Sequence, residues 1–152
     1  MRKTIDMVLS RIIVFIMIIL TLDVLLQVAT DFIIKESNPF SFTDELAEFL
    51  LIWTGLLGAA YATGKKQHLA INLINNRLKN AAQKRLKIFI NVLISLFALV
   101  VLVVGGIRFV IINMKLDQLS PAMEIPMWYV YLALPLSGAF IMFYAIDETR
   151  GI

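Results

Sequence analysis

Asp23, Gln27 and Asp31 stand four residues apart in an otherwise apolar stretch, so on a helix they form one polar stripe. Counting about 1.5 Å per residue from Arg11 predicts Asp23 about 18 Å into a bilayer, near its middle, and Asp31 near the outer edge. An ionised carboxylate at such a depth costs at least ~2.5–3.5 kcal/mol, so Asp23 must face protein or carry a proton. Two chemistries follow: a proton or cation site, or a polar contact with another helix or a partner subunit. No basic or carboxylate side chain accompanies Asp23 at its own depth, which favours the contact.

A second group of acids, Asp44, Glu45 and Glu48, opens a stretch that closes on Lys65, Lys66 and His68, the single histidine. A straight helix from Glu48 to His68 is about 30 Å long, so the two cannot share an active site. Asp44 and Glu45 suit the positive end of a helix capped by Ser41 or Thr43, and His68 suits a membrane interface. Arg108 lies about 31 Å above Lys87 by the same count, at the depth of Asp31 and Glu48. A structural ion pair of Arg108 with one of them is expected to orient the first three helices. The absence of cysteine excludes disulfide and thiol–quinone redox chemistry, and one histidine excludes a bis-histidine haem within a single copy. No cofactor is expected on this chain.

The elements that hold these residues follow from composition. Of 152 residues, 60% are hydrophobic and 16% charged, with a mean hydropathy of +0.85. A soluble domain of this size cannot cover so much apolar surface, so the bilayer is its solvent. Four apolar runs supply the ~20 residues that one crossing requires: spans over about 12–34, 44–64, 88–113 and 127–147. The fold class is an all-α membrane protein of four transmembrane helices in one domain over residues 1–152. The first run is too long and too polar, at Asp23 and Gln27, for a cleaved signal. Pro135 is expected to kink the fourth helix near Tyr131. Trp128, Tyr129 and Tyr131 suit its outer interface.

Lysines and arginines set the orientation. Arg2, Lys3 and Arg11 precede the first span, and seven basic residues from Lys65 to Lys87 fill the second loop. The first loop has only Lys35 and the third only Lys115. Both termini and the second loop are therefore expected on the cytoplasmic side. Residues 69–83, "LAINLINNRLKNAAQ", place apolar and polar side chains at helical spacing, as an amphipathic helix lying on the cytoplasmic interface does. Membrane lipids account for the net charge of +3, and no nucleic-acid partner is expected. Gly55 with Ala59, and Gly58 with Ala62, are small residues four apart, the spacing that lets helices approach closely in lipid.

The stretch "FTDELAEFLLIWTGLLGAAYATGKKQHLAINLI", Phe42 to Ile74, resembles the small membrane subunit of TRAP (tripartite ATP-independent periplasmic) transporters. The likeness runs through Asp44-Glu45-Leu46, Trp53, Gly58-Ala59-Ala60, Lys65-Lys66 and His68. It resumes in Ser120-Pro121-Ala122 and Ile125-Pro126-Met127-Trp128. Two positions depart from the family pattern: Asp31-Phe32, where a basic residue often precedes the aromatic, and Glu124, where glycine often precedes Ile-Pro.

The resemblance implies a bacterial or archaeal cytoplasmic (inner) membrane and a division of labour. A periplasmic substrate-binding protein captures an organic acid, such as a dicarboxylate or sugar acid. A large membrane subunit carries it with sodium. The small subunit braces the stationary scaffold, so sodium is expected in the partner. Trp53, Gly55, Gly58 and Ala59 are then the expected large-subunit interface, with Trp53 beside the small face, and Asp44 and Glu124 are candidates for docking the binding protein. The competing reading is a self-sufficient homodimeric exporter, proton-coupled through Asp23.

Overall fold

The computed structural model describes residues 2–33, 41–65 and 80–150. Helix α1 covers Arg2–Ile33 and α2 covers Ser41–Gly64. A third rod joins α3 (Asn80–Phe97), a π-helical stretch (Ala98–Gly105) and α4 (Gly106–Lys115). The fourth is broken into α5 (Trp128–Tyr131) and α6 (Ala133–Arg150). Four helical segments are long and apolar enough to cross a membrane: Lys3–Thr30, Phe42–Gly64, Lys84–Lys115 and Trp128–Thr149. The fold is all-α, with no strand among the described residues.

Boundaries differ where charge was taken as a stop. Helix α1 begins at Arg2, not at residue 12. Arg11 does not end it, because a long basic side chain can run back along the helix to water. The expected amphipathic helix lies largely outside the described residues, as does His68, while residues 80–83 belong to α3.

The helices pack in the order α1, α2, α6 and then the third rod. The end that holds both chain termini is termed basal, and the end with the loop between α4 and α5 apical. The core is small: Leu9, Leu57, Ala60, Ala98, Leu102, Ile141 and Tyr144 form one buried cluster. Large side chains such as Phe15, Leu26 and Phe89 point outward. That inversion is stable in lipid, where a leucine gains little by moving from hydrocarbon to protein and helices are held by close packing instead. The closest approach is between the third rod and α6. A Cβ built on Gly138 would lie 2.7 Å from Leu102 Cβ, and one on Gly106 would lie 2.9 Å from Leu134 Cβ.

The π stretch keeps this contact in line. Ala98, Leu102, Gly106 and Val110 are all buried and recur every four residues. In a regular α-helix each such step drifts about 40° around the axis. The wider π turns take up that drift. Pro135 supplies no N–H to Tyr131, and the chain turns at Leu132, between α5 and α6. Several hydroxyls within the spans bond back one turn, as Thr63 does to Ala59 O at 2.9 Å, which satisfies them without water, while Thr54 Oγ1 has no partner among the described residues.

Candidate functional site

The apical layer is built on Glu45. Its two carboxylate oxygens accept the backbone N–H groups of Ala122 and Met123, each at 2.9 Å. These donors sit in a closed loop. Ser120 N–H donates to Ile125 O at 2.9 Å, Met127 N–H to Gln118 O at 2.9 Å, and Glu124 N–H to Ser120 O at 3.1 Å. The acidic start of α2 and the Ser-Pro-Ala segment, 77 residues apart in sequence, thus form one structure. The sequence reading took Glu45 only as a charge at a helix end and missed this role. The signal was present, since a carboxylate beside a proline-rich loop offers two acceptors to N–H groups that such a loop leaves unpaired.

Glu124 is exposed in this loop and has φ +53°. That left-handed conformation suits glycine and is costly for a residue with a Cβ. The position at which the chain departs from the family's glycine is therefore one where glycine has a backbone reason to be.

Beside the loop, the Gln27 amide donates to the Asp44 carboxylate. Asp23 is buried, 7% exposed, on the same side of α1 and within electrostatic reach of Asp44. One of its oxygens, Oδ2, has no hydrogen-bond partner among the described residues. The side chain of Asp31 lies outside the described residues.

The basal layer is built on Asp6. The Tyr144 hydroxyl donates to Asp6 Oδ1 at 2.6 Å, and Lys65 Nζ lies 3.3 Å from Asp6 Oδ2. Tyr144 is 1% exposed, and its ring occupies the place of a side chain at Gly64, where a Cβ would lie 2.8 Å from it. This clamp joins α1, α2 and α6, and no motif announced it.

The two layers lie about one membrane span apart. Asp6 to Gln27 and Asp44 to Lys65 are each 21 residues, or about 31 Å of helix, close to the ~30 Å of a hydrocarbon core. Asp23 is one helical turn, about 6 Å, from Gln27 and so from the apical layer. Arg11 lies beyond Asp6 along α1, and helical side chains lean toward the helix start, here toward the basal side.

The four expected interface residues do not form one surface. Gly55 and Ala59 are exposed and Gly58 half-buried, and a Cβ on Gly55 or Gly58 meets nothing within 4 Å. Leu51, 61% exposed, and Glu48 continue this outward face toward the apical end. Trp53 does not belong to it. Two residues rotate about 200° around a helix, so its indole turns inward to the core cluster and lines a groove with Leu9, Leu57 and Phe140.

Arg108 makes no ion pair with Glu48 among the described residues, and the side chain of Asp31, the other expected partner, lies outside them. Arg108 and Glu48 are both exposed, and they sit on elements separated by α6 in the packing order. Sequence depth placed them level but could not tell which helices are neighbours. Among the described residues no three carboxylate or imidazole groups gather where they could hold a metal ion.

Residues 16–151 match the family described as tripartite ATP-independent periplasmic transporters, DctQ component. The chain is 30% identical over 110 residues to the C4-dicarboxylate TRAP transporter small permease protein of Rhodobacter capsulatus, a match covering 72% of this chain and 48% of that one. A putative TRAP transporter small permease protein of Haemophilus influenzae is 24% identical over 69% of this chain and 63% of its own length. The sialic acid TRAP transporter permease protein of the same species is 26% identical over 70% of this chain but 17% of its own. The chain thus spans about half to just under two thirds of the small permease relatives that it matches. With four membrane-spanning helices and a family match that runs from α1 into the last residues, this chain is a multi-pass membrane protein that belongs to the DctQ family, the small permease component of TRAP transporters.

Proposed function

We propose that this chain braces the stationary part of a large TRAP membrane subunit, which imports an organic acid with sodium after delivery by a periplasmic binding protein. The observation that carries the reading is the outward face of α2. Gly55, Gly58 and Ala59 leave space that the described residues do not fill, and in lipid a face of small residues gains contact only when another helix enters it. The relatives support a large partner. The matched region forms 17% of the sialic acid permease and 17% of an isethionate TRAP transporter permease, so the same unit occurs within much longer permease chains.

The basal end faces the cytoplasm on this reading, because Lys65, Lys84, Arg85 and Lys87 gather there. The apical loop, with Glu124, and Asp44 beside it then face the binding protein. Substrate and sodium belong to the partner, and a dicarboxylate or sugar acid is the substrate class. The exporter alternative loses its main support, since it drew on a carboxylate at mid-membrane and Asp23 lies close to the apical layer. Proteoliposomes decide between the two. Uptake is expected only with the large subunit, binding protein and a sodium gradient together; accumulation by this chain alone would overturn the proposal.

A further inference from the structure

Asn91, in the basal half of the third rod, is 5% exposed, and its Nδ2 has no hydrogen-bond partner among the described residues. An amide donor without an acceptor inside a membrane span is unfavourable. Asn91 stands in the wall of a groove between α3 and α6, with Ser95 and Thr149 as its other polar residues and Leu96, Leu99 and Met142 among its apolar ones. From Asn91 to Leu99 the groove runs about 12 Å along the helix. Its volume is about 420 Å³ and its walls are mostly apolar, which leaves room for an extended hydrocarbon chain.

The basal mouth of the groove is cationic. Lys87 lies one turn before Asn91, on the same side of α3, and Lys84 and Arg85 are exposed next to it. Asp147 and Glu148 on α6 are the nearby acids, and each already has an interaction partner. The geometry points to a bound anionic phospholipid, with its phosphate between Lys87 and the Asn91 amide and one acyl chain in the groove between α3 and α6. The broad side-chain torsion of asparagine lets the amide turn to the phosphate. Basic pockets between helices on the positively charged side of a membrane protein hold such headgroups. The lipid would supply the acceptor that Asn91 lacks and fill the gap left between the helices.

The test is native mass spectrometry of the full chain, purified, delipidated and titrated with phosphatidylglycerol or phosphatidylcholine. One phosphatidylglycerol is expected to be retained in preference to phosphatidylcholine. Lys87→Gln lowers that affinity about fivefold, the equivalent of ~1 kcal/mol for one basic side chain at an anionic surface. Ser95→Phe fills the groove and abolishes retention, with Asn91→Ala as the second variant should Ser95→Phe fail to fold. Lys115→Gln, at the opposite end, leaves retention unchanged. Equal retention of both lipids, or retention indifferent to Lys87→Gln and to the groove variant that folds, overturns the proposal. Loss of the large subunit from the complex on Ser95→Phe, with lipid retention unaltered, also overturns it and assigns the groove to a partner.

Discussion

At the scale of single residues the apical loop is the place where small changes are most informative. Glu45→Ala removes the acceptor of two backbone N–H groups. The expected loss of stability is small, because the loop is half-exposed and water can replace part of the lost acceptor. It should register as a lower unfolding temperature in detergent and faster proteolysis between residues 116 and 127. Glu124 tests backbone against side chain. Glycine relieves a left-handed conformation that costs a residue with a Cβ about 1–3 kcal/mol, offset by its own greater freedom when unfolded, ~0.4–1 kcal/mol. Glu124→Gly should therefore leave the unfolding temperature equal or higher, while Glu124→Val lowers it. If the carboxylate also docks the binding protein, Glu124→Gly weakens that docking in a pull-down without loss of stability. Asp23→Asn keeps the shape of the seam with α2 and removes its charge, so the assembled transporter should keep most of its uptake and its sodium dependence. An assembled but inactive complex would return Asp23 to the coupling chemistry.

At the scale of elements the readable and the unreadable divide by what each depends on. Span number and fold class follow from runs of apolar residues, which are local, and all four spans were legible. The break before α6 was legible from Pro135 for the same reason. Neighbours were not. The Arg108 pair and the placing of Trp53 beside Gly55 needed to know which helix lies against which, and the order α1, α2, α6 and third rod is written in no local pattern. The π stretch left no trace in a run of valines and leucines, although the four-residue spacing of Ala98, Leu102, Gly106 and Val110 contains its cause. The glycines sort by the same logic. Gly138→Leu drives a side chain into Leu102 and Val103, 2.7 and 3.0 Å from where its Cβ would stand. Overpacking of that kind costs about 1–3 kcal/mol or more. The variant should lower the amount of folded chain recovered when it is expressed alone, as measured by size-exclusion chromatography in detergent.

At the scale of the whole molecule, the same substitution on α2 should have the opposite consequence, and this contrast carries the functional reading. A side chain added at Gly55 meets nothing within 4 Å, and Ala59 is exposed one turn further. Gly55→Leu or Ala59→Leu therefore leaves the isolated chain as abundant and as stable as before, since lipid accepts a leucine as readily as it does Leu51 on the same face. On the proposed reading the large subunit closes that face in the assembled transporter, so the added bulk holds two helices apart, with a loss of about 1–3 kcal/mol of packing. The expected result is selective: the large subunit separates from this chain on detergent extraction, and uptake falls in proportion to the complex lost. The two measurements must be made together, the level of the chain alone and its recovery with the partner. Equal loss in both would show that α2 folds against its own bundle there. No loss in either would leave this face to lipid and move the interface to the apolar groove that Trp53 lines between α1, α2 and α6.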